Sequence, residues 1–417
     1  MRQSFFSLKI KIIHHIIGQA FELVKPIKQF ITGALLLVQG QAYAQTHEQA
    51  EKQALTIDAS TLWTTQQNSK QALTIDASAL WTTQQNSKQG FSSSLFSANI
   101  DLGLQLNTQQ MIQFGIEYSQ TPDEQGQAMF VLFESSADVL TTQDANEAGR
   151  AQVSTFYWQD SGVSKLPNSN TDTELTIGLL DIEGGVDTNG IANDENTQFL
   201  LPALVNNTSV YTPDYTLGIR YLKQPSENEV GYTLLVSRSE GLADKQGNYA
   251  DVLTQGNSQL FIASEVKWRV NNSEVHLGAW KNQAEAATGM YSALQYHQPF
   301  SMGELALLVR AGLTKQQQSD AEAQKDITSP EPKQTLTHST LSLASTWTQN
   351  NWQFGLGVAT ERQQAQQNNE IHQGEAWLKY TLHDMASVSV FNQWQWPDEQ
   401  SNRVQARHSG LRLFLQF

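Results

Sequence analysis

The chain closes on Gly410-Leu411-Arg412-Leu413-Phe414-Leu415-Gln416-Phe417. Leu411, Leu413, Leu415 and Phe417 alternate with Gly410, Arg412, Phe414 and Gln416, a period of two that makes a strand with one apolar face. The strand runs to the final residue and stops on an aromatic. In water such a stripe needs a cover. In a closed bilayer barrel it needs none, because the outer face meets lipid and the rim carries an aromatic belt. A soluble β-sandwich whose last strand packs inward gives the same local pattern, so the rest of the chain has to separate the two.

Strand signals bounded by turn residues recur upstream. The clear ones lie at 95–106, 110–118, 175–181, 214–222, 229–238, 259–270, 274–282, 303–314, 352–360, 374–382, 386–396 and 406–417, with weaker ones at 127–135, 151–159, 289–298 and 338–348. Together they make sixteen, an even number as a single-chain bacterial barrel requires, and most approach the ~9–11 residues of a tilted membrane strand. Within 259–270, Leu260, Ile262, Val266, Trp268 and Val270 share one face while Glu265, Lys267 and Arg269 share the other. Residues 303–314 and 352–360 alternate in the same way. Sixteen strands exceed what an open twisted sheet usually holds, which forces closure or a second domain.

Connection lengths favour closure. Counted back from Phe417, one end of the barrel receives His383-Asp384-Met385, Gln349-Asn350-Asn351, 298–302, Asn271-Asn272-Ser273 and 223–228, all short. The other end receives 397–405, 361–373, 315–337, 283–288, 239–257 and 182–213, nearly all longer. Short turns on one side and long loops on the other are the outer-membrane pattern, and a sandwich gives no reason for them. Two connections break the rule: 160–173 is long on the short side, and 107–109 is short on the long side.

The bulk properties agree with an exported barrel. The chain has 417 residues, no cysteine and a net charge of −15. No apolar run reaches the ~18 residues of a membrane helix. Phe30–Val38 is apolar, follows Lys25 and Lys28, and precedes Ala42-Tyr43-Ala44, which reads as a secretory signal over 1–44 cleaved after Ala44. Removing that segment takes away five basic residues and one acid and moves the charge from −15 to about −19. Such a chain repels nucleic acid. The partners expected are outer-membrane lipid, small neutral solutes such as sugars, and the outer-membrane assembly machinery acting on the strand that ends at Phe417. A homotrimer is compatible with the pattern, since lipid-facing and subunit-facing strands read alike.

Residues 52–69, KQALTIDASTLWTTQQNS, and 70–87, KQALTIDASALWTTQQNS, differ only at Thr61 and Ala79. Two copies are too few for a repeat architecture. The segment 45–90 is rich in Gln, Thr, Ser and Ala, and reads as a duplicated periplasmic extension, or alternatively as a pore plug, ahead of a barrel over 91–417.

The connection 182–213 carries the strongest functional signal. Phe199, Leu200, Leu201, Pro202, Leu204 and Val205 form an apolar cluster that must fold against something. In a sixteen-strand barrel the available surface is the lumen wall. This third long loop, folded inward, would narrow the channel and offer Asp187, Asn189, Asn193, Asp194, Glu195, Asn196 and Gln198 to a permeating solute. Carboxylates and amides suit hydroxyl-rich neutral solutes, because together they donate and accept hydrogen bonds. An extracellular cap or a structural hinge are the other readings of the same loop.

The stretch Leu179-Leu180-Asp181, then Asp187-Thr188-Asn189, then Ile191-Ala192-Asn193-Asp194-Glu195-Asn196-Thr197-Gln198-Phe199-Leu200 and Ala203-Leu204-Val205-Asn206-Asn207 resembles the carbohydrate-selective porins. The closing strand from Gly410 to Phe417 is similar too. The specific match covers about thirty residues. The resemblance implies a sixteen-strand barrel that passes sugars passively, without a cofactor.

Arg220, Arg238, Glu265, Lys267, Arg269 and Arg310 fall on polar strand faces and are expected on the lumen wall, where a basic row facing an acidic loop would set a transverse field. Trp268, Trp347, Trp352, Trp377, Trp394 and Trp396 are expected in the interface girdle. The histidines show no i, i+4 pair and no H-E-x-x-H, so no metal site is expected. Neither a G-x-S-x-G nor a phosphate loop is present, and no catalytic residue is assigned.

Overall fold

The structure is a computed structural model that describes residues 72–86, 92–119, 150–162, 173–194, 197–242, 249, 252, 259–317, 335–364, 368–397 and 406–417. Sixteen antiparallel strands close into a barrel in which each strand pairs with its chain neighbours and the first pairs with the last. They are β1 Ala72–Asn86, β2 Ser92–Gln105, β3 Gln110–Ser119, β4 Arg150–Asp160, β5 Thr173–Asp181, β6 Tyr215–Lys223, β7 Val230–Arg238, β8 Leu260–Val270, β9 Ser273–Asn282, β10 Ala287–Phe300, β11 Gly303–Gln317, β12 Thr335–Gln349, β13 Trp352–Gln364, β14 Asn368–His383, β15 Ala386–Pro397 and β16 Ala406–Gln416.

The period of two sorts the side chains as the sequence expected. Along β8, Phe261, Ala263, Glu265 and Lys267 are buried while Leu260, Ile262, Val266 and Trp268 are exposed. In β13, Phe354, Leu356 and Val358 are exposed and Gly355, Gly357 and Ala359 are buried. Exposed apolar side chains therefore form a continuous outer band, and in a bilayer that band would meet acyl chains. The inner face mixes polar and small residues with a few large apolar ones, Phe261, Leu308, Trp377 and Phe391 among them. Closure gives each strand a hydrogen-bonded neighbour on both sides, which leaves no open sheet edge to the ring.

The short turns follow from local chemistry. Asn271, between β8 and β9, has φ 49°, and Asn350, between β12 and β13, has φ 50°. Asparagine tolerates this left-handed conformation better than other residues with a Cβ, which lets a two-residue connection reverse the chain.

Two sequence expectations need correction. The barrel does not begin at 91. β1 is Ala72–Asn86, inside the second copy of the duplicated segment, so that copy is wall and not periplasmic extension. Its Leu73, Ile75, Ala77, Ala79 and Trp81 oppose Leu104, Leu102, Ile100, Ala98 and Phe96 of β2 on the outer face. Thr74, Ser78 and Thr82, which disguised it, share the inner face with buried Leu80. The strand expected at 127–135 lies outside the described residues, and β3 pairs directly with β4. Adding one strand before 92 and removing one after 119 keeps the total at sixteen but reverses which side the intervening turns belong to. Residues 106–109 now join the short side and 120–149 the long side. That removes one of the two exceptions to the segregation of connection lengths, but the expected long connection 361–373 shrinks to 365–367 between β13 and β14 and becomes a new one. The signal segment 1–44 and the first repeat copy lie outside the described residues.

The tryptophans divide. Trp268, Trp352 and Trp396 are exposed on the outer face. Trp352 packs on Tyr380 at 4.6 Å, and Trp347 packs on Phe300 at 5.7 Å. Trp377 does not belong to a girdle. It is 2 % exposed and points inward, edge-on to Phe199 of the β5–β6 connection at 5.6 Å.

Candidate functional site: the loop seated in the lumen

The connection between β5 and β6 is the third on the long side, and its described residues pack against inward-facing side chains of the opposite wall. Ile191, Ala192, Phe199, Leu200, Leu201, Ala203, Leu204 and Val205 form one apolar cluster with Ala293, Ala306, Leu308, Ala344, Ala359, Trp377 and Phe391. The wall contributes mostly alanines, which leave depth for the loop's larger side chains. Full burial of a Leu or Phe is worth about 1.5–3 kcal/mol each, so this cluster is a strong hold. A one-turn helix, Pro202–Val205, presents Ala203, Leu204 and Val205 to the wall. Gly357 makes the closest approach possible: a Cβ there would lie 2.5 Å from Leu204 Cδ1 and 3.0 Å from Phe199 Cε1.

Charges pin the same loop at three places. Arg310 of β11, 2 % exposed, puts Nε 3.0 Å from Asp187 Oδ2. It also donates to Asn193 Oδ1 at 3.1 Å and to the carbonyls of Leu204 and Val205 at 3.4 Å. Glu375 of β14 accepts the backbone N–H of Leu200 at 2.9 Å and of Leu201 at 2.8 Å. Gln393 donates to the same carboxylate at 3.2 Å. Arg412 of β16 donates to the carbonyl of Gln198 at 2.6 Å and to Ser389 at 3.0 Å.

Toward β8–β10 the seat is a second polar network. Lys267 Nζ lies 3.1 Å from Glu265 Oε1 and donates to Thr188 at 2.8 Å. The Tyr291 hydroxyl donates to Glu265 at 2.8 Å and accepts the backbone N–H of Asp187 at 3.2 Å. Gln295 accepts the N–H of Gly190 at 3.2 Å. His276 is fully buried, with Nε2 2.7 Å from Glu274. Asp187, Glu265 and His276 each bring a ligand-capable atom within 4.8 Å of the others. Both carboxylates already meet a cation, Arg310 and Lys267, so the group is a charge-balanced seat and a divalent ion would have to displace one of them.

These contacts redistribute the residues expected at a constriction. Asp187 is 3 % exposed and is an anchor with a left-handed backbone, φ 53°. Asn189 shapes the loop by accepting the N–H of Ile191 at 2.9 Å and of Ala192 at 2.8 Å. Asn193 is held by Arg310. Asp194 accepts the N–H of Thr197 at 3.2 Å and bonds its hydroxyl. Gln198 donates to the carbonyl of Gly190 at 3.0 Å. Asn189, Asn193, Asp194 and Gln198 stay half-exposed, so they combine loop structure with access to solvent. Glu195 and Asn196 lie outside the described residues.

The basic row does not stand as free charge either. Arg220 pairs with Glu174 at 2.7 Å, and Arg269 with Glu274 at 2.5 Å. Arg238 does not stand on the lumen wall as expected: along β7 it shares parity with exposed Leu234 and Val236 and lies opposite exposed Leu260, and its guanidinium donates to the carbonyl of Val252 at 2.6 Å. Lys267 and Arg310 bind the loop. Four of the five basic residues expected in that row, Arg220, Lys267, Arg269 and Arg310, thus stand beside a carboxylate. Glu375, Arg412, Tyr291 and Gly357 complete the seat, and no spacing or motif pairs any of them with residues 187–205.

Burial raises the Asp187 carboxyl from its ordinary value of 3.8, with Arg310 working against the shift. A raised carboxyl holds its proton more tightly when the loop is seated. Its contribution to stability is complete below the ordinary carboxylate range and is lost as pH climbs through the raised value. Asp187→Asn keeps the shape and removes the titration. The unfolding temperature of the native protein should decline relative to that of the variant as pH rises through this window. Parallel curves would show that Asp187 does not titrate in the seat.

Comparison with known proteins agrees with this architecture. No protein-family model matches the chain. An uncharacterized protein of Aquifex aeolicus is 33% identical over 139 residues, which are 33% of this chain and 40% of that protein. The chain thus spans well under half of that relative. Among solved structures, OmpT expressed in the outer membrane of Vibrio cholerae is 10% identical with a TM-score of 0.51, covering 84% of this chain and 99% of that one. A form of OmpT lacking loop L8 gives the same score over 84% of this chain and 100% of its own. OmpF of Salmonella typhi, in complex with daunomycin, is 10% identical with a TM-score of 0.50, covering 84% and 99%. At these identities the likeness is one of fold: the sixteen-strand closed barrel of this chain resembles the folds of these proteins.

Proposed function

We propose that this chain is an outer-membrane porin through which small hydrophilic solutes, carbohydrates in particular, diffuse passively. The observation that carries the reading is a loop from β5–β6 held against the far wall by Arg310, Glu375 and Arg412. A loop fixed in this way narrows the lumen to a defined width and does not move with each passing molecule. Its half-exposed edge, Asn189, Asn193, Asp194 and Gln198, supplies amide donors and acceptors and one carboxylate. That set suits hydroxyl-rich neutral solutes, and the resemblance to carbohydrate-selective porins over the same stretch supports it. No bond is made or broken, and selectivity comes from width and lining. Export would use the signal over 1–44, and β16 would be the strand read by the assembly machinery.

A general, weakly cation-preferring porin is the second reading, favoured by a net charge of −15. Swelling of liposomes carrying the purified protein separates the two. Sugars should enter severalfold faster than amino acids of similar size. Equal rates would leave only the general porin. Replacing Asp194 and Glu195 together by Ala should lower cation preference in planar bilayers, and unchanged selectivity would remove this edge of the loop from the constriction.

A further inference from the structure

We propose that the chain carries two interchangeable first strands, and that the barrel can be closed by either copy of the duplicated segment. β1 is drawn entirely from the second copy and is the closing strand of the ring, paired with β16 on one side and β2 on the other. Every residue of β1, Ala72–Asn86, has a counterpart eighteen positions earlier, over 54–68, and only Ala79 differs, being Thr61 in the first copy.

The position of that difference decides whether the exchange is tolerated. Ala79 faces outward opposite Leu415 and Ala98, in the apolar stripe with Ala77 and Trp81. A threonine there adds a small β-branched side chain, which strands favour, and disturbs no inner contact. All inner-face residues that meet the lumen are the same in both copies: Thr74, Asp76, Ser78, Leu80 and Thr82 recur as Thr56, Asp58, Ser60, Leu62 and Thr64. Leu80, buried opposite Phe414, and Thr82, buried opposite Arg412, would be replaced by identical groups. A shift of eighteen is even, so the first copy presents the same side chains to the same faces.

What separates the two arrangements is the connection to β2. With the second copy in place it is residues 87–91, five residues; with the first in place it is 69–91, twenty-three residues. Closing the longer loop is disfavoured by about (23/5) to the power 3/2, roughly tenfold. The second copy is then the major occupant, and the first a minor one on the order of a tenth. When the first copy is seated, the displaced second copy stands in the connection on the long-loop side.

Proline substitution tests this in the full chain, because a proline at the middle of a strand paired on both edges removes a ladder hydrogen bond and clashes with the pleat. Leu80→Pro should disable the second copy and leave a heat-modifiable, conducting barrel closed by the first. Leu62→Pro alone should change nothing, and Leu62→Pro with Leu80→Pro should abolish the barrel. Loss of the barrel in Leu80→Pro as complete as in the double variant would overturn the proposal. Should the barrel survive both prolines, crosslinking decides. Ser78 opposes Asn99, and Ser60 is its counterpart. The chain has no cysteine. In the Leu80→Pro background, Ser60→Cys with Asn99→Cys should form a disulfide as readily as Ser78→Cys with Asn99→Cys does without the proline. Failure of the Ser60→Cys pair to crosslink in that background would overturn it equally.

Discussion

Arg310→Ala should unseat the loop and widen the channel. The guanidinium serves Asp187, Asn193 and two backbone carbonyls from one buried position. Removing it leaves the Asp187 carboxylate and both carbonyls without their cation in a site closed to water. Breaking a buried pair in this way costs about 3–5 kcal/mol, because the surviving charge is uncompensated. That cost falls on the loop and not on the ring of strands, because the ladder at Arg310 uses its backbone, opposite Ala293 and Ser342, and not its guanidinium. The folded barrel should therefore persist by gel mobility while single-channel conductance rises and becomes noisy between substates. Conductance traces indistinguishable from those of the native protein would mean that the loop does not define the narrowest point.

Gly357→Val should give the same channel phenotype by different chemistry. Here no charge changes. The new side chain would occupy the space now filled by Leu204 and Phe199, and overpacking of this kind typically costs about 1–3 kcal/mol. Because Gly357 faces inward, Val358 and the other lipid-facing residues of β13 are untouched. If both variants raise conductance, the effect belongs to loop docking itself. A rise with Arg310→Ala alone would instead assign it to the charge of Asp187 and Arg310.

The legible and illegible parts of this molecule differ in range along the chain. The alternation in β8, β11, β13 and β16 is local, and a period of two decides which face each residue takes. The need for the β5–β6 connection to bury Phe199, Leu200, Leu201 and Leu204 was equally local, since an apolar cluster in a loop requires a surface. Which residues receive it was not. Arg310 meets Val205 across 105 positions, Glu375 meets Leu201 across 174, and Arg412 meets Gln198 across 214. No spacing rule joins such pairs. Trp377 was misplaced for a reason the strand itself could have corrected: it shares parity with Glu375 and Lys379, the polar side of β14, and so had to point inward. β1 was missed because its apolar outer face is diluted by Thr, Ser and Gln, which are ordinary inner-face residues of a barrel. Asp187 reads in sequence as a solute ligand because a carboxylate looks the same whether it meets a sugar or a buried arginine.

Channel recording and gel mobility on a single purified membrane preparation test the central claim, that the apolar side of these strands meets lipid while the inner side encloses water. A folded band that shifts on boiling, together with discrete conductance steps in a planar bilayer, is the expected result. A polypeptide that stays dissolved as a monomer without detergent and leaves the bilayer sealed would contradict it.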